Sequence, residues 1–384
     1  MSDQDQQGKI VCKIDGALVH SIQHHIQQHH SAEWTVERYK EEFPDEPLLS
    51  QLIKDRIQSR LDEQKKASSV KDGMKPLYEV FDMNKDDAGV LQGDKSPIMI
   101  EVLEKEILDA EAKIHIHDFD PNYVFRASAL KNVLLGIALN IPTYVWGMMG
   151  TGKSTLIEQV CARTGRPYTR LQHSRDTEQS HIVGQTLVKD GATYFELGPL
   201  AYAMKHGLVY IADEYDFAMP AVLSLYQAVL EGGDLFIKEA DIENRVIKPH
   251  PNFRFFATGN TNGSGDDTGL YQGTLIQNAA NYERFGIVFE MEYMPKEMER
   301  EVVIAKSGID KTSADLLVKF ANLTREACRN GDITLPMSPR SIINSARVGV
   351  PYGDFKKGVS LAYLARLDSG SKTAADEIAN RVFG

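Results

Sequence analysis

The chain has little cysteine, no long apolar run and no surplus of positive charge. Its three cysteines, Cys12, Cys161 and Cys328, lie far apart along 384 residues, so they cannot make a disulfide framework. No apolar run approaches the roughly 18–20 residues of a membrane span, and no membrane association is expected. The opening MSDQDQQGKI lacks the cationic start and apolar stretch of a secretory signal. Lys and Arg number 43 against 54 Asp and Glu, a net charge of −11. That balance disfavours a generic binder of nucleic acid or anionic membrane. No internal repeat is present. What remains is a cytoplasmic chain whose 42% hydrophobic content can fill the cores of two or three domains of about 100–200 residues.

Composition divides the chain into four segments. Residues 1–64 hold five of the eleven histidines (His20, His24, His25, His29, His30), then a charged amphipathic stretch from Thr35 to Gln64. Residues 65–117 read as a linker rich in Lys, Asp, Gly and Pro, followed by a helical run, EVLEKEILDAEAKI. From 118 to 294, short apolar runs (YVWGMMG, LVYIADE, NFRFFATGN) end at glycine or acidic residues and alternate with helical patterns. That alternation predicts an α/β fold with a parallel sheet. Residues 295–384 are patterned as helices throughout.

Gly147-Met-Met-Gly150-Thr151-Gly152-Lys153-Ser154 fits G-x-x-x-x-G-K-[ST], the phosphate-binding loop. It follows a strand pattern at Thr143–Trp146 and precedes a helix pattern at Thr155–Arg163, the context the motif needs. The glycines let backbone N–H groups turn toward the phosphates of ATP, and the helix start adds its positive end. Lys153 supplies a point charge and Ser154 a hydroxyl for Mg²⁺. About sixty residues on, a buried strand pattern ends in Asp213 and Glu214. Asp213 is expected to hold Mg²⁺ through water, and Glu214 to polarise the attacking water as general base. Asn260 ends the next strand, Phe253–Gly259, where an amide can orient that water.

From about Asp118 to Arg347 the chain resembles AAA+ ATPases of the MoxR branch, and within it the ATPase subunits of aerobic, ATP-dependent cobaltochelatases. The resemblance rests on the phosphate loop, Asp213-Glu214-Tyr215-Asp216, Asn244-Arg245-Val-Ile-Lys-Pro-His250, Thr258-Gly-Asn260-Thr and Gly265-Asp-Asp-Thr-Gly-Leu-Tyr271-Gln-Gly. It implies an AAA+ P-loop core, a parallel sheet with flanking helices, followed by a helical lid. It gives Asn260 the place of sensor 1, Arg284 that of an arginine finger acting in trans, and Arg340 that of sensor 2. Arg284 follows a helical pattern at Thr274–Asn281. His181–Pro199 resembles the branch's insert in helix 2, and Glu239–Lys248 its hairpin before sensor 1. The family works as a hexameric ring on a partner that carries a von Willebrand A domain. In the chelatase a separate large subunit holds the corrin that receives Co²⁺. A MoxR-type co-chaperone acting on a different partner would show the same motor residues, so both partner classes stay open.

Cys12-x2-Asp15-x9-His25-x4-His30 has the spacing of a small Zn²⁺ site, and the adjacent His24 and His29 offer alternative pairings. It resembles the zinc-finger region of Ros/MucR bacterial regulators, which implies a small α-rich zinc-finger-like N-terminal domain; Asp15 stands where that pattern has a second cysteine. Residues 1–75 carry 11 Lys+Arg against 13 Asp+Glu. A finger that grips phosphates needs a basic surplus, so a protein-docking role is expected here, and a DNA-directed, ATP-switched regulator is the less favoured alternative.

Overall fold

The computed structural model describes residues 9–30, 33–44, 46–51, 53–54, 73–85, 89–266, 269–271 and 273–384, and the chain divides into two units, residues 1–72 and 73–384. In the first, β1 (Ile10–Val11) pairs antiparallel with β2 (Leu18–Val19), and the turn between them closes with Gly16 N–H donating to Cys12 O at 2.8 Å. Helix α1 (Ile22–His25) is capped by the Ser21 hydroxyl and continues as a π-helical turn over Ile26–His30. Helix α2 (Val36–Glu42) is capped by Thr35. Cys12, Ile22, Ile26 and Tyr39 are buried together, with Trp34 and Phe43 packed against them. The amphipathic stretch expected from Thr35 to Gln64 becomes α2, then turns, then helix again at residues 51, 53 and 54; its part beyond residue 54 lies outside the described residues.

The stretch expected as linker and helix departs from that reading. β3 (Met74–Pro76) pairs antiparallel with β4 (Met99–Glu101), and Leu77, Phe81, Val90 and Ile100 are buried in the same core as the phosphate-loop helix. Polar turn residues hide these apolar contacts in the sequence. The run from Glu101 is broken too. Leu108 is extended, and Asp109 caps a new short helix, Ala110–Lys113, by accepting from Ala112 N–H at 2.6 Å. An Asx cap inside a helical pattern competes with continuing the helix.

Helix α3 (Ala127–Leu139) leads into β5 (Thr143–Trp146), and α4 (Lys153–Arg163) follows the phosphate loop. Then come β6 (Tyr168–Gln172), the short helix α5 (Gln179–Val183) and a hairpin of β7 (Gly184–Lys189) with β8 (Ala192–Leu197). Next in order are α6 (Pro199–His206), β9 (Val209–Asp213), and a two-residue hairpin of β10 (Leu235–Phe236) with β11 (Val246–Ile247). After β12 (Arg254–Gly259) and β13 (Ile287–Glu290), the five long-range strands form one sheet in the order β13-β5-β12-β9-β6, all parallel. β9 is buried along its whole length, which is why it reads as one apolar run. The chain leaves β5 for the far edge at β6, returns through β9 and β12, and crosses to the other side of β5. Ligands of open α/β sheets bind at the carboxyl ends beside such a switch point. There the register places Trp146 beside Gly259 and Ala212 beside Ala257.

The helix expected over Thr274–Asn281 is only Ala279–Tyr282, capped by Asn278. The residues before it are held outside the helix by other loops, with Leu275 N–H on Asp216 O at 2.8 Å and Gln277 N–H on Gly263 O at 2.9 Å.

From Lys296 the chain is helical: α7 (Lys296–Ser307), α8 (Lys311–Arg329), α9 (Pro339–Tyr352), α10 (Phe355–Ala362) and α11 (Ser369–Phe383). They enclose a separate core around Leu317, Phe320, Ile342 and Tyr363. Buried Glu299 and Arg325 pair by two hydrogen bonds of 2.7 and 2.9 Å, tying α7 to α8.

Candidate functional site

The phosphate loop turns out of β5 through glycines held at positive φ. Gly147 has φ +144°, and a Cβ there would stand 2.5 Å from Met291 O. Gly152, φ +88°, precedes the first turn of α4. Lys153 curls back into its own loop. Its Nζ donates to Gly147 O at 2.7 Å, Met148 O at 3.2 Å and Asn260 Oδ1 at 3.0 Å. Burial pulls its pKa down to about 8. Thr151 closes the loop by donating to Met148 O at 2.8 Å, and Met149 N–H donates to the Tyr271 hydroxyl at 2.8 Å.

Asp213 ends β9 with both carboxylate oxygens engaged. The Ser154 and Thr258 hydroxyls donate to Oδ1, and Arg170 Nε donates to Oδ2 at 2.9 Å. Glu214 follows at φ +53°, ψ +43°. This left-handed conformation is uncommon for a residue with a side chain and marks strained backbone at functional sites. Glu214 is half-buried against the pocket. Burial, with the charges of Asp213 and Asp216 added, pushes its carboxyl above the ordinary carboxylate range.

Buried Asp216 holds the next loop in place. Its Oδ2 accepts from Asn260 N–H at 2.8 Å, Thr261 N–H at 2.9 Å and the Thr261 hydroxyl at 3.0 Å. Burial raises the Asp216 pKa against these hydrogen bonds. Through this carboxylate the acidic-pair loop and the Asn260 loop are one construction.

Gly150, Gly152, Lys153, Ser154, Thr155, Asp213, Glu214, Asn260 and Arg340 line one pocket. Arg340 reaches it from the first turn of α9, whose cap, Ser338, lies against the loop: a Cβ on Gly150 would be 2.8 Å from Ser338 Cβ. Arg284 does not line this pocket. It is paired with Glu231 at 2.7 Å and also donates to Ala280 O. Arg170, Thr258 and Asp216 were missed as working residues. Thr258 and Asp216 sit inside quoted motifs. Arg170 had no local signal, because only the β6–β9 pairing brings it to Asp213.

The residues fit Mg²⁺ and a nucleotide. The Ser154 hydroxyl and the Asp213 carboxylate, the oxygen donors Mg²⁺ takes, already meet at the pocket, beside backbone shaped by the positive-φ glycines Gly150 and Gly152. When bound, Mg²⁺ neutralises phosphate charge.

In the N-terminal unit, Cys12, Asp15 and His25 bring a sulfur, an oxygen and a nitrogen within 4.8 Å of one another. Asp15 Oδ2 accepts from His25 Nε2 at 2.8 Å and from His30 Nε2 at 3.0 Å. The Ala17 N–H, which donates to Asp15 Oδ1 at 3.0 Å, is the chief cause holding that carboxyl well below its usual range, and His30 and His25 add to it.

A five-stranded parallel sheet of this order, with a phosphate loop after β5 and an acidic pair at the end of β9, two strands away, defines a P-loop ATPase of the AAA+ class followed by a helical region. Residues 143–275 match the family described as AAA domain (dynein-related subfamily), and residues 299–367 match the CbbQ/NirQ/NorQ C-terminal family. The chain is 38% identical over 280 residues to the aerobic cobaltochelatase subunit CobS of a Sinorhizobium species, covering 70% of this chain and 83% of that one. It is 24% identical over 276 residues to protein NorQ of Paracoccus denitrificans (71% of this chain, 95% of that one). It is 23% identical over 212 residues to protein CbbQ of Hydrogenophilus thermoluteolus (55% and 76%). The chain belongs to the AAA+ ATPases of the MoxR, CobS, CbbQ and NorQ type, and its reaction is ATP hydrolysis. No helix among the described residues is long and apolar enough to cross a membrane.

Proposed function

We propose that this chain is the Mg²⁺-ATP-driven motor of a cobaltochelatase, working as a cytoplasmic homo-hexameric ring that energises Co²⁺ insertion into a corrin held by a large partner subunit, with a von Willebrand A subunit between them. The observation that carries this reading is the 38% identity to an aerobic cobaltochelatase subunit over 83% of that protein's length. In this reading Lys153 grips phosphate, Ser154 and Asp213 hold Mg²⁺, and Glu214 activates water that Asn260 orients. Arg340 acts in cis and Arg284 on the neighbouring subunit's nucleotide. A Glu214→Gln chain locked on ATP and used as bait in lysate of its own organism is expected to recover both chelatase partners. Parent chain added to those partners with ATP should then insert Co²⁺ into hydrogenobyrinic acid diamide. Recovery of other proteins, with neither subunit present, would overturn the cobalt reading and leave the motor. The alternative, a co-chaperone for another von Willebrand A partner, is favoured by the match of residues 299–367 to the CbbQ/NirQ/NorQ C-terminal family.

The donor set Cys12, Asp15, His25 and His30 supports a structural Zn²⁺ site in the N-terminal unit, with four ligands of the types zinc takes. Metal analysis of the purified, dialysed chain is expected to find about one Zn²⁺ per chain, and Asp15→Ala to lower that content. A metal-free parent chain would refute the site. The excess of acidic over basic residues in residues 1–75 weighs against DNA as the partner of this unit.

A further inference from the structure

Arg170 is the charged group on Asp213 that the hydrolytic assignments do not use. It lies on β6, the edge strand, opposite Ile211, while Gln172 is the residue opposite Asp213. Its guanidinium therefore runs along the sheet margin to reach the carboxylate. Nε and Nη2 both donate to Asp213 Oδ2, and Nη1 donates to Glu158 Oε1 on α4 at 3.0 Å. The two partners differ in freedom. The Asp213 side chain is 5% exposed and that of Arg170 is 40% exposed. The Asp213 backbone is pinned, its carbonyl accepting from His173 N–H at 2.8 Å and lying 3.0 Å from His173 Nδ1. The guanidinium is the part that can leave, and Glu158 gives it a second carboxylate to rest on.

A guanidinium and Mg²⁺ carry like charge and draw on the same oxygen. With Oδ1 taken by two hydroxyls and Oδ2 by Arg170, Asp213 cannot serve a metal until one partner withdraws. The hydroxyls do not oppose this, since Ser154 is itself a Mg²⁺ donor. We propose that Arg170 is a displaceable counter-charge on Asp213 that sets the Mg²⁺ concentration the site requires: it holds the carboxylate in the nucleotide-free protein and gives it up to Mg²⁺ on loading, retiring to Glu158. It is a positioning residue, acting on the reaction only through Asp213. The proposal rests on the assignment of Asp213 to Mg²⁺.

The apparent affinity of a site open only part of the time is reduced by the open fraction. If Arg170 leaves Asp213 free about one part in ten, its removal lowers the Mg²⁺ half-point about tenfold. The test titrates Mg²⁺ against a fixed concentration of a fluorescent ADP bound to the full chain, with thermal melting recorded beside it. Arg170→Met is expected to lower the half-point about tenfold below that of the parent. Arg170→Lys keeps the charge but cannot span both carboxylates, and should fall between the two. A folded Arg170→Met chain with an unchanged or raised half-point overturns the proposal. A purely structural role would change melting and leave the half-point alone, which also overturns it. Should Arg170→Met fail to fold, Arg170→Lys decides: a lowered half-point supports the proposal and an unchanged one refutes it. Asp213→Asn separates the two assignments, since a half-point it does not raise would remove Asp213 from the Mg²⁺ site.

Discussion

Glu214→Gln protein is expected to bind ATP much as the parent does and to hydrolyse it at least about 100-fold more slowly, because a positioned general base contributes about 10²–10⁴. The amide keeps the size of the side chain and the strained turn at φ +53°, so binding at the phosphate loop is left intact. Only proton uptake is lost. The same carboxylate sets the acid side of the pH profile. Burial first, and then the neighbouring Asp213 and Asp216 charges, hold Glu214 above the ordinary carboxylate range. A base works ionised, so parent turnover should be full above that raised pKa and fall as pH drops through it, at a pH above the roughly 4.3 of a free glutamate. Nucleotide binding and steady-state phosphate release across pH check both parts. Near-normal hydrolysis by Glu214→Gln would remove the residue from the chemistry.

Arg284→Ala is expected to keep nucleotide binding and to lose about 10³ in turnover, the lower bound for an arginine that neutralises transition-state charge on a phosphoryl group. The geometry motivates a role in trans. Arg284 is absent from its own chain's pocket and held by Glu231 at 2.7 Å. A Lys153→Ala chain has the opposite defect, a spoiled loop with an intact Arg284. Mixed one to one in a head-to-tail ring, about a quarter of the interfaces would join an intact loop to an intact arginine. Turnover should therefore reappear in the mixture although each variant alone is dead. No recovery at any mixing ratio would exclude a trans role.

Much of this site was legible because its parts are local. The phosphate loop is contiguous, and β5, β9 and β12 are buried strands whose ends coincide, within a residue, with the apolar runs that encode them. Contacts between strands were not legible. Arg170 meets Asp213 across a distance of 43 residues through pairing of β6 with β9, and nothing near position 170 announces it. Asp216 was visible as a letter in a motif, but its hold on Asn260 and Thr261 depends on β9 and β12 being neighbours. The two largest misreadings share one cause. Residues 73–101 look like linker and 274–281 like helix, yet tertiary contacts decide both: burial of Leu77 and Phe81 in one case, and the Leu275 bond to Asp216 in the other.

The phosphate loop is wedged between two bodies, Gly147 against Met291 O, which continues β13 in the sheet, and Gly150 against Ser338, the cap of α9 in the helical region. Both gaps are too narrow for even a methyl group. A joint without clearance transmits displacement instead of absorbing it. The glycines are thereby the bearing surfaces at which the loop meets the sheet on one side and, on the other, the helix that carries Arg340.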